Sequence, residues 1–245
     1  MNRTFGNVYE DEERARAYAT LQFPGTYYLA FRDLPPLIRR YNHGSPALDF
    51  GCGTGRSTRF LRNLGLRVVG ADISQAMLEQ ARTLDPSGEY HLIRDTIAGE
   101  FALGSFDIIL AAFTFDNMPT EAKTAALRGL RIVLAPDGCL LLVVSSPEIY
   151  VNEWASFSTR DFSENRHAND GDRVRIIMLD VPDRRPVEDV FCTDAYYRKL
   201  FKNASLKVLD VHRPLATGQE ATQWVSETTT AAWTIYVLGS AILAT

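Results

Sequence analysis

Short apolar runs and stretches with apolar residues three and four apart take turns along this chain. Runs at 47–50, 67–71, 90–93, 106–113 and 139–144 have the length of strands, and the last is apolar at every position. Such a run marks a strand covered on both faces, as in a parallel sheet. Between the runs, 57–64, 74–84 and 120–134 read as helices; in the last, Leu127, Leu130 and Val133 share one face. Ser74 stands where it can cap the second of these helices, and Pro136-Asp137-Gly138 reads as a turn before the final run. Ahead of the alternation, 12–18 reads as helix, Phe23-Pro24-Gly25-Thr26 breaks it, and 34–41 reads as a second helix, with Asp33 as cap and Pro35 and Pro36 in its first turn. After residue 145 the pattern changes. Residues 145–172 are polar, aromatic and aperiodic, while 173–180 and 187–192 read as a hairpin. A helix capped by Thr193 or Asp194 runs to 202, and strands follow at 206–211 and 233–238.

Strands alternating with helices predict an α/β fold. A length of 245 residues suits one domain with a large core, and neither a repeat nor a Gly/Ser-rich linker divides it. The expected division is one domain over 1–245: a cap (1–43), a ligand-binding half (44–145), an insertion serving as lid (146–192) and a closing helix with strands (193–245). A formal charge of −4 with scattered basic residues argues against a nucleic-acid partner. Three cysteines without CxxC spacing and four dispersed histidines argue for a reducing, cytoplasmic setting and against a metal site. No apolar signal segment opens the chain, and the apolar stretch 231–243 is too short to span a bilayer, so no membrane partner is expected.

The most informative segment is Ala47-Leu-Asp-Phe-Gly-Cys-Gly-Thr-Gly-Arg-Ser57. An apolar strand enters a turn with Gly51, Gly53 and Gly55, and a helix follows at once. Glycines allow positive φ and close approach of a ligand, and the free N–H groups of the helix start point at it. Asp49 precedes the first glycine by two residues, and Asp72 ends the next apolar run. Acids in these places suit a nucleoside bearing a cation better than a pyrophosphate.

Taken in order, Asp49-Phe-Gly-Cys-Gly-Thr-Gly55, Val-Gly-Ala-Asp72-Ile-Ser, Asp95-Thr96, Phe106-Asp-Ile-Ile-Leu and Leu-Ala-Pro136-Asp-Gly-Cys-Leu resemble the class I S-adenosylmethionine-dependent methyltransferases, chiefly those with small-molecule acceptors, over residues 44–145. The resemblance implies a Rossmann-like, doubly wound sheet of seven strands, mostly parallel with the last antiparallel, carrying an N-terminal helical cap and an insertion after strand five. It implies S-adenosylmethionine as cofactor. In that family Asp49 would hold the loop near the methionine ammonium, and Gly51, Gly53 and Gly55 would make room for the methionine part. Asp72 would accept the ribose hydroxyls, Ile73 would pack on the adenine face, Asp95 with Thr96 would meet its amino group, and Met77 would be a further cofactor-binding residue. Ala112 and Phe113 would close strand four at the ligand-binding carboxyl edge.

Two other readings stay open. A nicotinamide-dependent oxidoreductase uses a similar turn, but its G-x-G-x-x-G fingerprint places the third glycine one residue later than here. A fold relative that binds a ligand without methyl transfer, such as a cyclase or a binding module, shares every motif above. For a methyltransferase the acceptor is a small molecule attacked at N or O, in a monomer or homodimer. The cap offers Tyr18, Phe23, Tyr27, Tyr28 and Phe31 for the acceptor pocket, and the segment after strand five offers Glu148, Tyr150, Glu153 and Trp154. Asp116 and Asn117 follow strand four, where Asn117 could orient the acceptor and Asp116 could take its proton.

Overall fold

The computed structural model describes residues 25–241; Tyr18, Phe23 and the helix expected at 12–18 lie outside them. Ten strands run along the described chain: β1 (Pro46–Phe50), β2 (Arg67–Asp72), β3 (Glu89–Leu92), β4 (Phe106–Ala112), β5 (Leu134–Ser145), β6 (Phe157–Ser158), β7 (Arg173–Met178), β8 (Val187–Val190), β9 (Leu206–His212) and β10 (Trp233–Ser240). Seven of them form one sheet in the order β3-β2-β1-β4-β5-β10-β9. The first five are parallel, and β10 runs antiparallel to both its neighbours. This is the Rossmann-like arrangement with one reversed strand. Order reverses between β1 and β4, the switch point beside which open α/β sheets bind ligands.

The helices are α1 (Gly25–Tyr41), α2 (Arg56–Asn63), α3 (Gln75–Leu84), α4 (Ile97–Glu100), α5 (Thr120–Val133) and α6 (Asp194–Asn203). The apolar run of β5 divides its side chains between two cores. Cys139, Leu141 and Val143 pack with α1 and the insertion, whereas Leu140, Leu142 and Val144 pack with α5 and α6. That division is why the run carries no polar residue.

Three expectations need correction. The helix expected at 34–41 starts at Gly25, so Pro35 and Pro36 lie inside it rather than in its first turn. Each proline removes one helical hydrogen bond, yet Leu29, Ala30, Leu34, Leu37 and Ile38 are buried along one stripe, and that packing holds the helix together across the gap. Asp33 is accordingly no cap; it pairs with Arg32 and with Nε2 of His212 (2.7 Å). Pro136-Asp137-Gly138, read as a turn, lies within β5, at a register shift against β4. Among the caps, Ser74 accepts from the Met77 N–H at 3.3 Å and Thr193, not Asp194, accepts from the Tyr196 N–H.

The insertion after β5 forms a small antiparallel sheet, β6-β7-β8, preceded by a 3-10 turn at Pro147–Tyr150. Thr26 at the start of α1 clasps it to the rest. Its N–H donates to Ser156 Oγ (2.8 Å), its hydroxyl donates to the buried Glu227 (2.6 Å), and its carbonyl accepts from the Trp233 indole (2.7 Å).

Candidate active site

The glycine turn hangs from the end of β2: the amides of Gly51 and Cys52 both donate to the Ala71 carbonyl, at 2.7 and 3.1 Å. All three glycines have positive φ, which lets the chain turn sharply between β1 and α2. Their bareness serves different ends. A Cβ at Gly51 would overlap Thr114 and one at Gly55 would overlap Tyr90, while one at Gly53 would meet open space. Packing therefore fixes the outer two, and Gly53 is bare toward a cavity.

That cavity, of about 1080 Å³, runs along the carboxyl edge of the sheet. At one end it is lined by Gly51, Gly53, Asp72, Ile73, Met77, Ile93, Ala112 and Phe113. At the other it is lined by Tyr27, Asp116, Asn117, Ser145, Ile149, Phe157, Asp189 and Trp233, with residues of the β7–β8 hairpin over the mouth. Phe113 holds φ 61, rare for a bulky residue. Its ring packs on Trp233 (4.6 Å between centroids) and Tyr27 (5.2 Å), and that packing keeps the strained turn where the two ends meet.

Asp72 closes the first end. Its Oδ2 accepts from the Gly53 amide and its Oδ1 from the Ser74 amide, both at 2.8 Å. Burial lifts its pKa, and the two amides pull it back. Asp49 sits beneath the turn, wholly buried. Oδ2 accepts from the hydroxyls of Ser57 (2.7 Å) and Thr58 (2.6 Å), while Oδ1 has no hydrogen-bond partner. Burial pushes its pKa up to about 6 despite those two hydroxyls.

At the other end two acids from distant segments share one buried patch. Asp116 Oδ1 accepts from the Ser145 amide (3.0 Å). Asp189 accepts from Asn117 Nδ2 (2.7 Å) and from the Tyr150 hydroxyl (3.0 Å). The Val190 amide donates to the Asp116 carbonyl (2.7 Å), which ties β8 to the loop after β4. Lys123, fully buried on α5, donates to the Val190 carbonyl and to Cys192 Sγ, both at 3.1 Å. Burial and the neighbouring Asp116 carboxylate raise Asp189 to about 7, against the pull of Tyr150 and Lys123. Burial raises Asp116 as well.

The residues singled out in the sequence thus divide. Gly51, Gly53, Asp72, Ile73, Met77, Ala112, Phe113, Asp116, Asn117 and Tyr27 line the cavity. Asp49 and Gly55 are packed under the turn, and Asp95 and Thr96 are exposed and off the cavity wall. Tyr28 and Glu148 point to solvent, Tyr150 supports Asp189 from behind, and Trp154 is core, its indole bonded to the Ile149 carbonyl. Sequence reading did not find Ser145, Asp189 or Trp233. Ser145 ends the β5 run at the carboxyl edge, a place that could have marked it. Asp189 carried no signal, because Val-Glu-Asp-Val does not show which acid points inward.

The comparisons with known proteins agree with this geometry. Residues 47–138 match the model of a family described as a methyltransferase domain. An uncharacterised methyltransferase of Synechocystis is 31% identical over 115 residues, 46% of this chain and 53% of that protein. N-demethylindolmycin N-methyltransferase of Streptomyces griseus is 26% identical over 176 residues, 69% of this chain and 72% of that one. The chain spans about half or less of the length of the curated relatives that it matches above 30% identity. The fold is shared with the CcbJ methyltransferase of Streptomyces caelestis at a TM-score of 0.65 and 17% identity, over 95% of this chain and 98% of that one. Together with the reversed strand, the glycine turn and the acid ending β2, these matches identify residues 47–138 as a methyltransferase domain, in a chain with the fold of the S-adenosylmethionine-dependent methyltransferases.

Proposed function

We propose that the protein moves a methyl group from S-adenosylmethionine to nitrogen or oxygen of a small-molecule acceptor and releases S-adenosylhomocysteine. The observation that carries this reading is that one cavity is shared: the glycine turn and Asp72 line the same half-open, partly polar chamber as Asp116 and Asp189. A cytoplasmic setting and a soluble small acceptor go with it. The name of the Streptomyces griseus relative, an N-methyltransferase, points the same way.

The residues at the first end fit the cofactor. Beneath the turn and off the cavity wall, Asp49 Oδ1 is buried without a donor, an arrangement that costs free energy until a donor such as a water bridging to an ammonium meets it. Gly53 leaves open space where any other residue would place a Cβ. Asp72 keeps lone pairs for ribose hydroxyls beside the amides it already accepts, and Ile73, half exposed, offers an apolar surface for adenine. When bound, the cofactor supplies a methyl group on a positively charged sulfur. The chain's task is then to hold the acceptor in line and dry, which is where much of the rate of a displacement comes from. Tyr27, Phe113, Phe157 and Trp233 pack ring against ring, Tyr27 stacked on Trp233 and edge to face with Phe113 and Phe157, and give the junction of the two ends an apolar wall.

Calorimetry separates this reading from a nicotinamide enzyme. Adenosylhomocysteine should bind and NADH should not. Asp72→Ala should weaken adenosylhomocysteine roughly tenfold or more, the worth of one or two charge-assisted hydrogen bonds. Undiminished affinity in that variant would remove Asp72 from the site, and turnover with adenosylmethionine separates an enzyme from a binding module.

A further inference from the structure

Charge in the acceptor end of the cavity is one-sided. Among the described lining residues, acids outnumber the two arginines, Arg173 and Arg185, and each arginine is already paired, with Glu188 (2.6 Å) and Asp183 (2.9 Å). Lys123 does not line the cavity and spends its protons on Val190 and Cys192. Of the deep acids, Asp189 accepts from Asn117 and Tyr150, while Asp116, on the cavity wall yet only 6% exposed, is held by Ser145, whose amide donates to Oδ1 and whose hydroxyl lies beside the carboxylate. Resting on the methyltransferase reading, we infer that the acceptor is a basic amine, which Asp116 and Asp189 seat at the cavity floor and relieve of one proton.

The chemistry balances. An ammonium entering the site gives one N–H proton to the carboxylate pair. The freed nitrogen lone pair forms the N–CH3 bond as the S–CH3 bond breaks and its electrons return to sulfur. The methylated ammonium keeps its positive charge, and the proton on the carboxylates passes to solvent. The acceptor is positive on entry, neutral as it attacks and positive again as the N–CH3 bond forms, so an acidic floor favours both its binding and the charge that develops in the transfer. A phenol or alcohol would have to develop negative charge beside two acids, which the same floor opposes. The pair can hold the proton at neutral pH. Burial is the main cause that lifts Asp189; it is faced by Asp116 from the loop after β4, Lys123 from α5, Tyr150 from the 3-10 turn and Tyr197 from α6, and the balance leaves it at about 7, while Cys192 faces Asp116.

The test uses the full chain with adenosylhomocysteine bound, titrated by calorimetry with short alkyl and arylalkyl amines, each matched by its isosteric alcohol and carboxylate. Turnover with adenosylmethionine is measured on the same panel. Amines should bind about tenfold or more tighter than their isosteres, the preference should grow as pH rises through about 7, and amines should be the compounds methylated. Asp116→Asn and Asp189→Asn, which keep shape, should each lower amine affinity and kcat/KM about tenfold while adenosylhomocysteine binds as before. Alcohols, phenols or carboxylates handled as well as amines would overturn the inference, as would amine binding indifferent to both substitutions. So would a panel in which adenosylhomocysteine binds but no amine surpasses its isostere. Failure of adenosylhomocysteine itself to bind would instead remove the methyltransferase reading beneath it.

Discussion

Asp49 is wholly buried, bonded on one oxygen and bare on the other. Its folded pKa of about 6 lies above the 3.8 of the unfolded chain, so the folded state holds the extra proton between those values. Stability from this group therefore falls as pH rises from about 4 to about 6 and stays level above. At neutral pH its ionisation costs roughly 3 kcal/mol. Asp49→Asn should accordingly flatten the fall of melting temperature over that window, raise the melting temperature at pH 7, and weaken cofactor binding. A variant that melts lower at pH 7 would show that the ionised carboxylate stabilises the free protein. Asp49, Asp72 and the glycines were legible in the sequence because each sits next to the turn it serves. Asp116 was legible only as a candidate, and its partner Asp189 was not, since only the fold brings residues so far apart in sequence to one floor.

Elements were legible where one force dominated. The all-apolar run in β5 could only be a covered strand, and Ser74 could only help a helix start. The reading failed at α1, where two prolines argued for a helix start and a buried stripe argued for an interior. The stripe prevails because its burial extends over the whole helix while each proline removes one bond. Pro36 is exposed. Replacing it with Ala restores a donor to the Arg32 carbonyl at little packing cost. Pro36→Ala should stabilise the protein by roughly 1 kcal/mol or more in denaturant unfolding, and a loss of stability would mean that this turn of α1 relies on the ring. The insertion was harder to read, because two 3-10 turns and a two-residue strand carry too few positions for any period to show.

At the scale of the whole molecule, α1, the insertion and β10 meet at Thr26. Thr26→Val removes a donor to buried Glu227 and an acceptor for the Ser156 amide (3.1 Å). It should destabilise the protein by about 2–3 kcal/mol and make α1 the first segment cut by a protease. Added adenosylhomocysteine should restore much of that stability by mass action. If the variant resists cutting as the parent does, the clasp holds the cap only in passing.

The clasp also sets a calendar for the molecule as it is made. Thr26 bonds to a residue 130 positions later and to one 201 positions later, and β10, the last described strand, is laid between β5 and β9 rather than at an edge. A chain emerging from the ribosome can therefore assemble the glycine turn early from neighbouring segments, whereas the acceptor chamber waits for residues about 200 positions after Thr26. During that interval the aromatic wall of the chamber is exposed and α1 has nowhere to dock, so this is when a chaperone would find most to hold.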